Sequence, residues 1–234
     1  MMNKPYVSAI VVAAGLGSRM KSGVNKQYLY LNGKPVLSHT LKAFEKCELI
    51  DEVILVISKS DEELCTKEVL KAEKIKKVKK VVYGGNSRQE SMYNGLLEVN
   101  NKADVVITHD GARPLVHQSI LLKSIEATLE HGASVVAVPV KETIKVVDEN
   151  YQVKDTPNRA ELWAVQTPQT FRYDLLVEAH EQARASDYTG TDDAMLVEKL
   201  GHSIKIVKGH YDNIKITTPE DLIIAESIIK IYPD

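Results

Sequence analysis

Two cations and a run of small residues suggest where this chain does its chemistry. The stretch Ala13-Ala14-Gly15-Leu16-Gly17-Ser18-Arg19-Met20 follows the apolar run 7–12 and continues to Lys26-Gln27-Tyr28. Small residues after a strand let the backbone pass close to a ligand with its N–H groups exposed, and such groups bind anions. Arg19 and Lys26 add full positive charge, so the segment reads as a nucleotide-phosphate cradle, with an ordinary strand-to-helix turn as the alternative. It matches neither familiar glycine fingerprint. The dinucleotide G-x-G-x-x-G and the phosphate-loop G-x-x-x-x-G-K-[ST] both require glycine where Met20 stands.

Asp110, after the apolar run 104–108, is the candidate Mg²⁺ ligand, because one carboxylate can hold that ion together with substrate phosphates and water. An aspartate bonding its own turn is the alternative. Arg113 beside Pro114 reads either as part of the site or as a structural ion-pair partner. Ser91 and the peptide groups of Gly84-Gly85-Asn86 could read a base edge, since backbone supplies donors and acceptors without bulk, while a capped helix start near Ser87 is the other reading. The histidines lack ligand spacing and no G-x-S-x-G elbow exists, which argues against metalloprotease and serine-hydrolase chemistry.

The elements that must position these groups alternate. Strands are expected over 7–12, 53–57, 81–83, 104–108, 134–140 and 204–207, and helices over 35–44, from Asp61, over 119–131, 170–185 and 193–200, and from Pro219 to Ile231. The first, third and fourth strands deliver polar or glycine-rich loops, and ligands of open α/β sheets sit outside the carboxyl ends of the strands. One crevice is therefore predicted. The lysine-rich stretch 71–80 lacks interleaved aromatics and reads as a solvated helix face. Residues 141–166 change rhythm: alternating segments flank Asp148-Glu149-Asn150-Tyr151, the pattern of a β-hairpin projecting toward another subunit. The final helix is expected to cover the sheet.

Composition bounds the rest. The 234 residues are 44% hydrophobic, enough for one substantial α/β domain over 1–234, and the net charge of −2 gives no global attraction to nucleic acid or anionic membrane. Cys47 and Cys65 are far apart, which disfavours a disulfide framework or zinc site and fits a reducing cytoplasm. No apolar run reaches the roughly 20 residues that span a bilayer, and Met1-Met2-Asn3-Lys4-Pro5 does not read as a signal-peptide core. A soluble, cytoplasmic α/β protein that binds a nucleoside triphosphate and Mg²⁺ is the expectation.

The series Ala13-Ala14-Gly15-x-Gly17-x-Arg19-Met20, Lys26-Gln27-Tyr28, Gly84-Gly85-x-x-Arg88-x-x-Ser91, His109-Asp110-x-Ala112-Arg113-Pro114, Leu162-Trp163-x-x-Gln166-Thr167-Pro168-Gln169, Thr191-Asp192-Asp193, Asn213-Ile214-Lys215 and Thr218-Pro219-Glu220-Asp221 resembles the 2-C-methyl-D-erythritol 4-phosphate cytidylyltransferases over nearly the whole chain. The resemblance implies a Rossmann-like nucleotidyltransferase sandwich, a mostly parallel sheet, and a homodimer whose β-arms interlock. It implies transfer of a cytidylyl group from CTP to the erythritol phosphate, with release of pyrophosphate, in the non-mevalonate isoprenoid pathway. By the same resemblance Ala13, Ala14, Gly15, Arg19 and Lys26 would hold the triphosphate, and Gly85, Asn86, Ser91 and Ala112 the nucleoside side. Asp110 would hold Mg²⁺, and Thr143, Arg159, Thr167 and Lys215 the polyol phosphate, with the arm residues reaching across the dimer. Arg19, Lys26 and Lys215 would stabilise the transferring charge. A ribitol 5-phosphate cytidylyltransferase is the alternative, disfavoured by Leu162-Trp163 and by Ala13; a nucleotide sensor without catalysis is disfavoured by Lys26, Asp110 and Lys215. The chain departs from the family pattern at Asn25, in place of proline, at Asn86, in place of aspartate, and at Gly111, in place of alanine. Losing the proline is expected to loosen the cradle.

Overall fold

The structure is a computed structural model that describes residues 4–15 and 25–231. Strand β1, Val7–Ala13, is almost wholly apolar and buried. From residue 25 onward come a 3₁₀ turn, Lys26–Tyr28, and a hairpin of β2, Tyr30–Leu31, and β3, Lys34–Pro35, whose proline leads into α1, Val36–Lys46. β4, Glu52–Ile57, is followed by α2, Glu62–Leu64, continuing as a π-helix over Cys65–Lys71. Then come β5, Val78–Tyr83, α3, Arg88–Leu96, β6, Val105–Asp110, α4, Gln118–His131, and β7, Ala133–Pro139. A short hairpin of β8, Val146–Val147, and β9, Val153–Asp155, precedes β10, Trp163–Arg172. The chain closes with α5, Tyr173–Ala185, α6, Asp193–Lys199, β11, Lys205–Lys208, and α7, Pro219–Ile231.

Seven strands form one sheet in the order β11-β7-β10-β6-β1-β4-β5, all parallel except β10, which runs antiparallel to both neighbours. Helices cover both faces, as a mostly parallel sheet requires. Leu37, Leu41 and Phe44 of α1 and Ile120, Leu121 and Ile125 of α4 pack on Val7, Ala9 and Val11 on one side. Met92 and Leu96 of α3, with Leu176 of α5 and Val197 of α6, pack on Ile10, Ile54 and Val56 on the other. The period-2 pleat of β1 thus feeds both cores.

Five expectations change. β10 is a central strand absent from the sequence reading, because Gln166, Thr167, Pro168 and Gln169 look like a polar loop. A register shift between Val165 and Gln169 accommodates them, and their polar groups find fixed partners: Gln166 Nε2 donates to the His210 carbonyl at 2.9 Å and Gln169 Nε2 to Asp192 at 2.7 Å. As a result α5 begins at Tyr173 rather than Thr170, and the arm rejoins the sheet at Trp163, where 163–165 pair with β7 but stay exposed and burial begins at Gln166. Lys79 and Lys80 lie on β5, not on a helix; lysines on this edge strand discourage pairing with another chain. α7 does not cover the sheet. Ile216 N–H donates to the Ala112 carbonyl at 2.8 Å, and this anchor sends the helix aside, where Ala225 packs with Leu31, Val36 and Ile216.

Candidate active site

The carboxyl ends of β1, β4, β5 and β6 open into a cleft of about 630 Å³. Ala14 and Gly15 reach it from β1, with Lys26 behind them, and Lys59 comes from the loop after β4. Gly84, Gly85, Asn86 and Ser91 line it from β5 and the start of α3, and Asp110, Ala112 and Lys215 from the far side. The loops predicted to converge do so, for the physical reason given: parallel strands end together at one rim. Gly84 is needed there, because a Cβ on it would overlap Ala14 Cβ and come within 2.8 Å of Ser91 Oγ. Gly111 has a similar reason: a Cβ would lie 3.0 Å from Ala13 Cβ and 3.1 Å from Leu37 Cδ1 and the Val12 carbonyl oxygen.

Asp110 ends β6 rather than standing in a loop, and is buried. Lys215 Nζ sits 2.8 Å from its Oδ2, Arg88 Nε 3.6 Å from its Oδ1 and Arg113 Nε 3.8 Å from its Oδ2. Burial pushes this carboxyl up, but the Lys215 ammonium and Arg88 guanidinium outweigh burial and hold it well below the usual carboxylate range. Arg88 is fixed in turn by Asp193, 2.9 Å from Nη2, and His180 Nε2 lies 3.3 Å from the other Asp193 oxygen. Burial opposes ionisation of Asp193, yet Arg88 and His180 bring its carboxyl down to about 2.

A short relay holds the backbone at Asp110. Its N–H donates to Thr167 Oγ1 at 3.1 Å, which leaves the hydroxyl proton to donate to His109 Nδ1 at 3.0 Å. His109 therefore carries its proton on Nε2 and donates it to the Arg113 carbonyl, 3.3 Å away. Burial pushes the His109 pKa down to about 4, so the ring is neutral and fits this relay. On the other wall, Arg113 Nη1 donates to the Asn213 carbonyl at 2.7 Å, and Asn213 Nδ2 donates to the Thr167 carbonyl at 2.9 Å. These bonds pin the segment that carries Lys215.

Of the expected site residues, the fold gathers Ala14, Gly15, Lys26, Gly85, Asn86, Ser91, Asp110, Ala112 and Lys215 in the cleft, and Thr167 directly behind Asp110. Ala13 is fully buried beneath it. Arg19 lies outside the described residues. Thr143 and Arg159 lie on the projecting arm, away from the cleft lining of this chain, with Arg159 Nη1 donating to the Lys141 carbonyl at 2.8 Å. Ser91 Oγ accepts from Gly85 N–H at 3.0 Å and donates to the Ser87 carbonyl at 2.8 Å, so this hydroxyl holds the turn. Ser87 does cap α3, accepting from Glu90 N–H at 3.0 Å. Asn25 has φ −60°, which a proline would also adopt, and its Nδ2 donates to Asp61 at 2.6 Å; a side-chain bond replaces the restraint expected to be lost. Arg88 has no role in the sequence reading; the signal for it is the Gly84-Gly85-x-x-Arg88 spacing, which sets it at the first position of α3, lining the cleft.

A cleft with small residues at its strand ends, cations from separate segments and one ionised carboxylate suits a polyphosphate held with a divalent metal. Among the described residues Asp110 is the only acidic side chain lining it, and a single carboxylate completed by phosphates and water is a Mg²⁺ donor set.

The comparisons agree with the geometry. A family model for 2-C-methyl-D-erythritol 4-phosphate cytidylyltransferase matches residues 7–231. Proteins of that name from Alkaliphilus metalliredigens and Alkaliphilus oremlandii are 52% and 49% identical, over 95% and 98% of this chain and 92% and 98% of theirs. The crystal structure of 4-diphosphocytidyl-2C-methyl-D-erythritol synthase from Anaerococcus prevotii superposes with a TM-score of 0.87 at 36% identity, covering 98% of each chain. The crystal structure of 2-C-methyl-D-erythritol 4-phosphate cytidylyltransferase from Thermus thermophilus gives a TM-score of 0.78 at 31% identity, over 96% of this chain and 99% of the other. With a matched model, relatives near half identity and a shared fold from end to end, this chain belongs to the 2-C-methyl-D-erythritol 4-phosphate cytidylyltransferase family.

Proposed function

We propose that the cleft transfers the cytidylyl group of CTP to 2-C-methyl-D-erythritol 4-phosphate, giving 4-diphosphocytidyl-2-C-methyl-D-erythritol and pyrophosphate. The observation that carries this reading is the meeting of Arg88 and Lys215 around one ionised carboxylate at the glycine-rich strand ends, with Lys26 lining the same cleft. An acceptor phosphate oxygen forms a bond to the α-phosphorus, the bond from that phosphorus to the bridging oxygen breaks, and the electron pair leaves on pyrophosphate. A phosphate monoester is already mostly ionised at neutral pH, so the attack requires no side-chain base and no covalent intermediate. The protein's work is to align two polyanions and offset their repulsion.

Each group has a part in that work. Ala14, Gly15 and Lys26 cradle the triphosphate, and Gly85, Asn86 and Ala112 face the nucleoside side; the sequence motif assigns Arg19 to the triphosphate as well. Lys215 stabilises charge on the transferring phosphoryl group and reaches the acceptor phosphate. Asp110 would hold Mg²⁺, which supplies charge neutralisation across the phosphates. Thr167, whose hydroxyl braces Asp110, stands beside the acceptor, and Thr143 and Arg159 would complete the acceptor pocket of a partner subunit. The chain then acts as one cytoplasmic nucleotidyltransferase unit that pairs through its arm.

Pyrophosphate release measured with CTP and Mg²⁺, offering the erythritol and ribitol phosphates in turn, tests the reading. Turnover that requires all three components and favours the erythritol phosphate is expected. Faster turnover of ribitol 5-phosphate would overturn the acceptor assignment, and no release with either would overturn the transferase.

A further inference from the structure

Outside the cleft, three metal-binding side chains come together where the start of α4 meets the loop after β11. We propose that His117, His210 and Asp212 bind a borderline divalent cation of the Zn²⁺ class, at a site separate from Asp110. One donor atom of each residue lies within 4.8 Å of the other two. His117 Nε2 is 2.8 Å from Asp212 Oδ2, and the imidazoles of His117 and His210 stack with centroids 4.4 Å apart and an 8° interplanar angle. The second Asp212 oxygen, Oδ1, is buried without a hydrogen-bond partner. A cation on this carboxylate would take the place of the hydrogen shared between His117 and Asp212 Oδ2.

The backbone beneath these side chains is already fixed. Gly209 N–H donates to the Ala137 carbonyl at 2.8 Å, and the His210 carbonyl accepts from Gln166 Nε2 at 2.9 Å and from Asn213 N–H at 3.1 Å. Ile214 N–H donates to the Asp212 carbonyl at 2.7 Å, and His117 is the residue that precedes α4. Rotation about side-chain bonds is then enough to bring the donors to one ion. The His117 side chain is 40% exposed, which leaves room for water in a fourth position. Two imidazoles and a carboxylate plus water form a tetrahedral N₂O₂ set that suits Zn²⁺, whereas Mg²⁺ takes oxygen ligands in an octahedron. A bound ion would tie the start of α4 to the loop that carries Lys215, three residues beyond Asp212.

Isothermal titration of the full chain with ZnCl₂ tests this, with circular dichroism to verify the fold of each variant. Binding of Zn²⁺ is expected to weaken on the order of tenfold or more in His117→Ala and in His210→Ala, both partly exposed positions, and to raise the unfolding midpoint of the unsubstituted chain but not of the double variant. Excess Mg²⁺ should leave the Zn²⁺ affinity unchanged. Zn²⁺ affinity that persists in the His117→Ala/His210→Ala double variant, absence of binding, or displacement by Mg²⁺ would each overturn the site.

Discussion

Asp110 and Lys26 face the same cleft yet rest on different foundations. Lys26 sits in a short turn, so Lys26→Ala should cut turnover by about a hundredfold or more while leaving stability within about 0.5 kcal/mol. Asp110→Ala should cost as much turnover and also about 3–5 kcal/mol of stability, because Lys215, Arg88 and Arg113 would face one another without their counter-charge. Urea unfolding beside the turnover assay separates the two effects; an unchanged midpoint for Asp110→Ala would show that the three cations do not depend on it. His109 sets an acid limit. Its folded pKa of about 4 lies below the ordinary 6.5, so between these values the unfolded chain binds a proton that the folded chain refuses. Stability should therefore fall as pH drops from about 6.5 to about 4, by about 3 kcal/mol in all, and Asp193, at about 2, adds further loss below its ordinary range. Unfolding midpoints across this range check the slope, and a flat profile down to pH 4 would show that His109 does not cause it.

At the scale of elements, the cleft exists because β1 and β5 end close enough for Gly84 to touch Ala14. A methyl group at Gly84 must push these strand ends apart, so Gly84→Ala should destabilise the fold by about 1–3 kcal/mol and raise the KM for CTP. Unaltered KM and midpoint would mean that the turn relaxes freely. The arm makes a different prediction. Arg159 is exposed and does not line the cleft of this chain, so Arg159→Ala should raise the KM for the acceptor while leaving that for CTP nearly unchanged. Equal effects on both substrates would remove the arm from the acceptor pocket.

For the whole molecule, the arm carries exposed apolar side chains that a lone chain has no reason to present: Tyr151 is 87% exposed and Val153 59%, beside the exposed Val146, Val147 and Trp163. A second copy would cover them. Sedimentation equilibrium should give two chains per particle, and Val146→Asp with Val153→Lys should weaken association by tenfold or more, since each buried valine contributes about 1.5–3 kcal/mol. A monomer at all concentrations would contradict the shared acceptor pocket.

The sequence by itself determined the alternation of buried apolar strands with amphipathic helices, the loops at the strand ends, and the identities of Lys26, Asp110 and Lys215, because hydrophobic period and turn chemistry are local signals. Position and partners were decided only by the tertiary structure. β10 escaped notice because its burial is made possible by partners distant in sequence, Asp192 and His210, which satisfy glutamines that locally look like loop. The same holds for the ion network: that Arg88 stands between Asp193 and Asp110, more than a hundred residues from the first and some twenty from the second, is invisible to spacing and follows from parallel strands ending at one rim. Residue types came from local sequence, whereas the charge balance that sets their protonation came from contacts between distant segments.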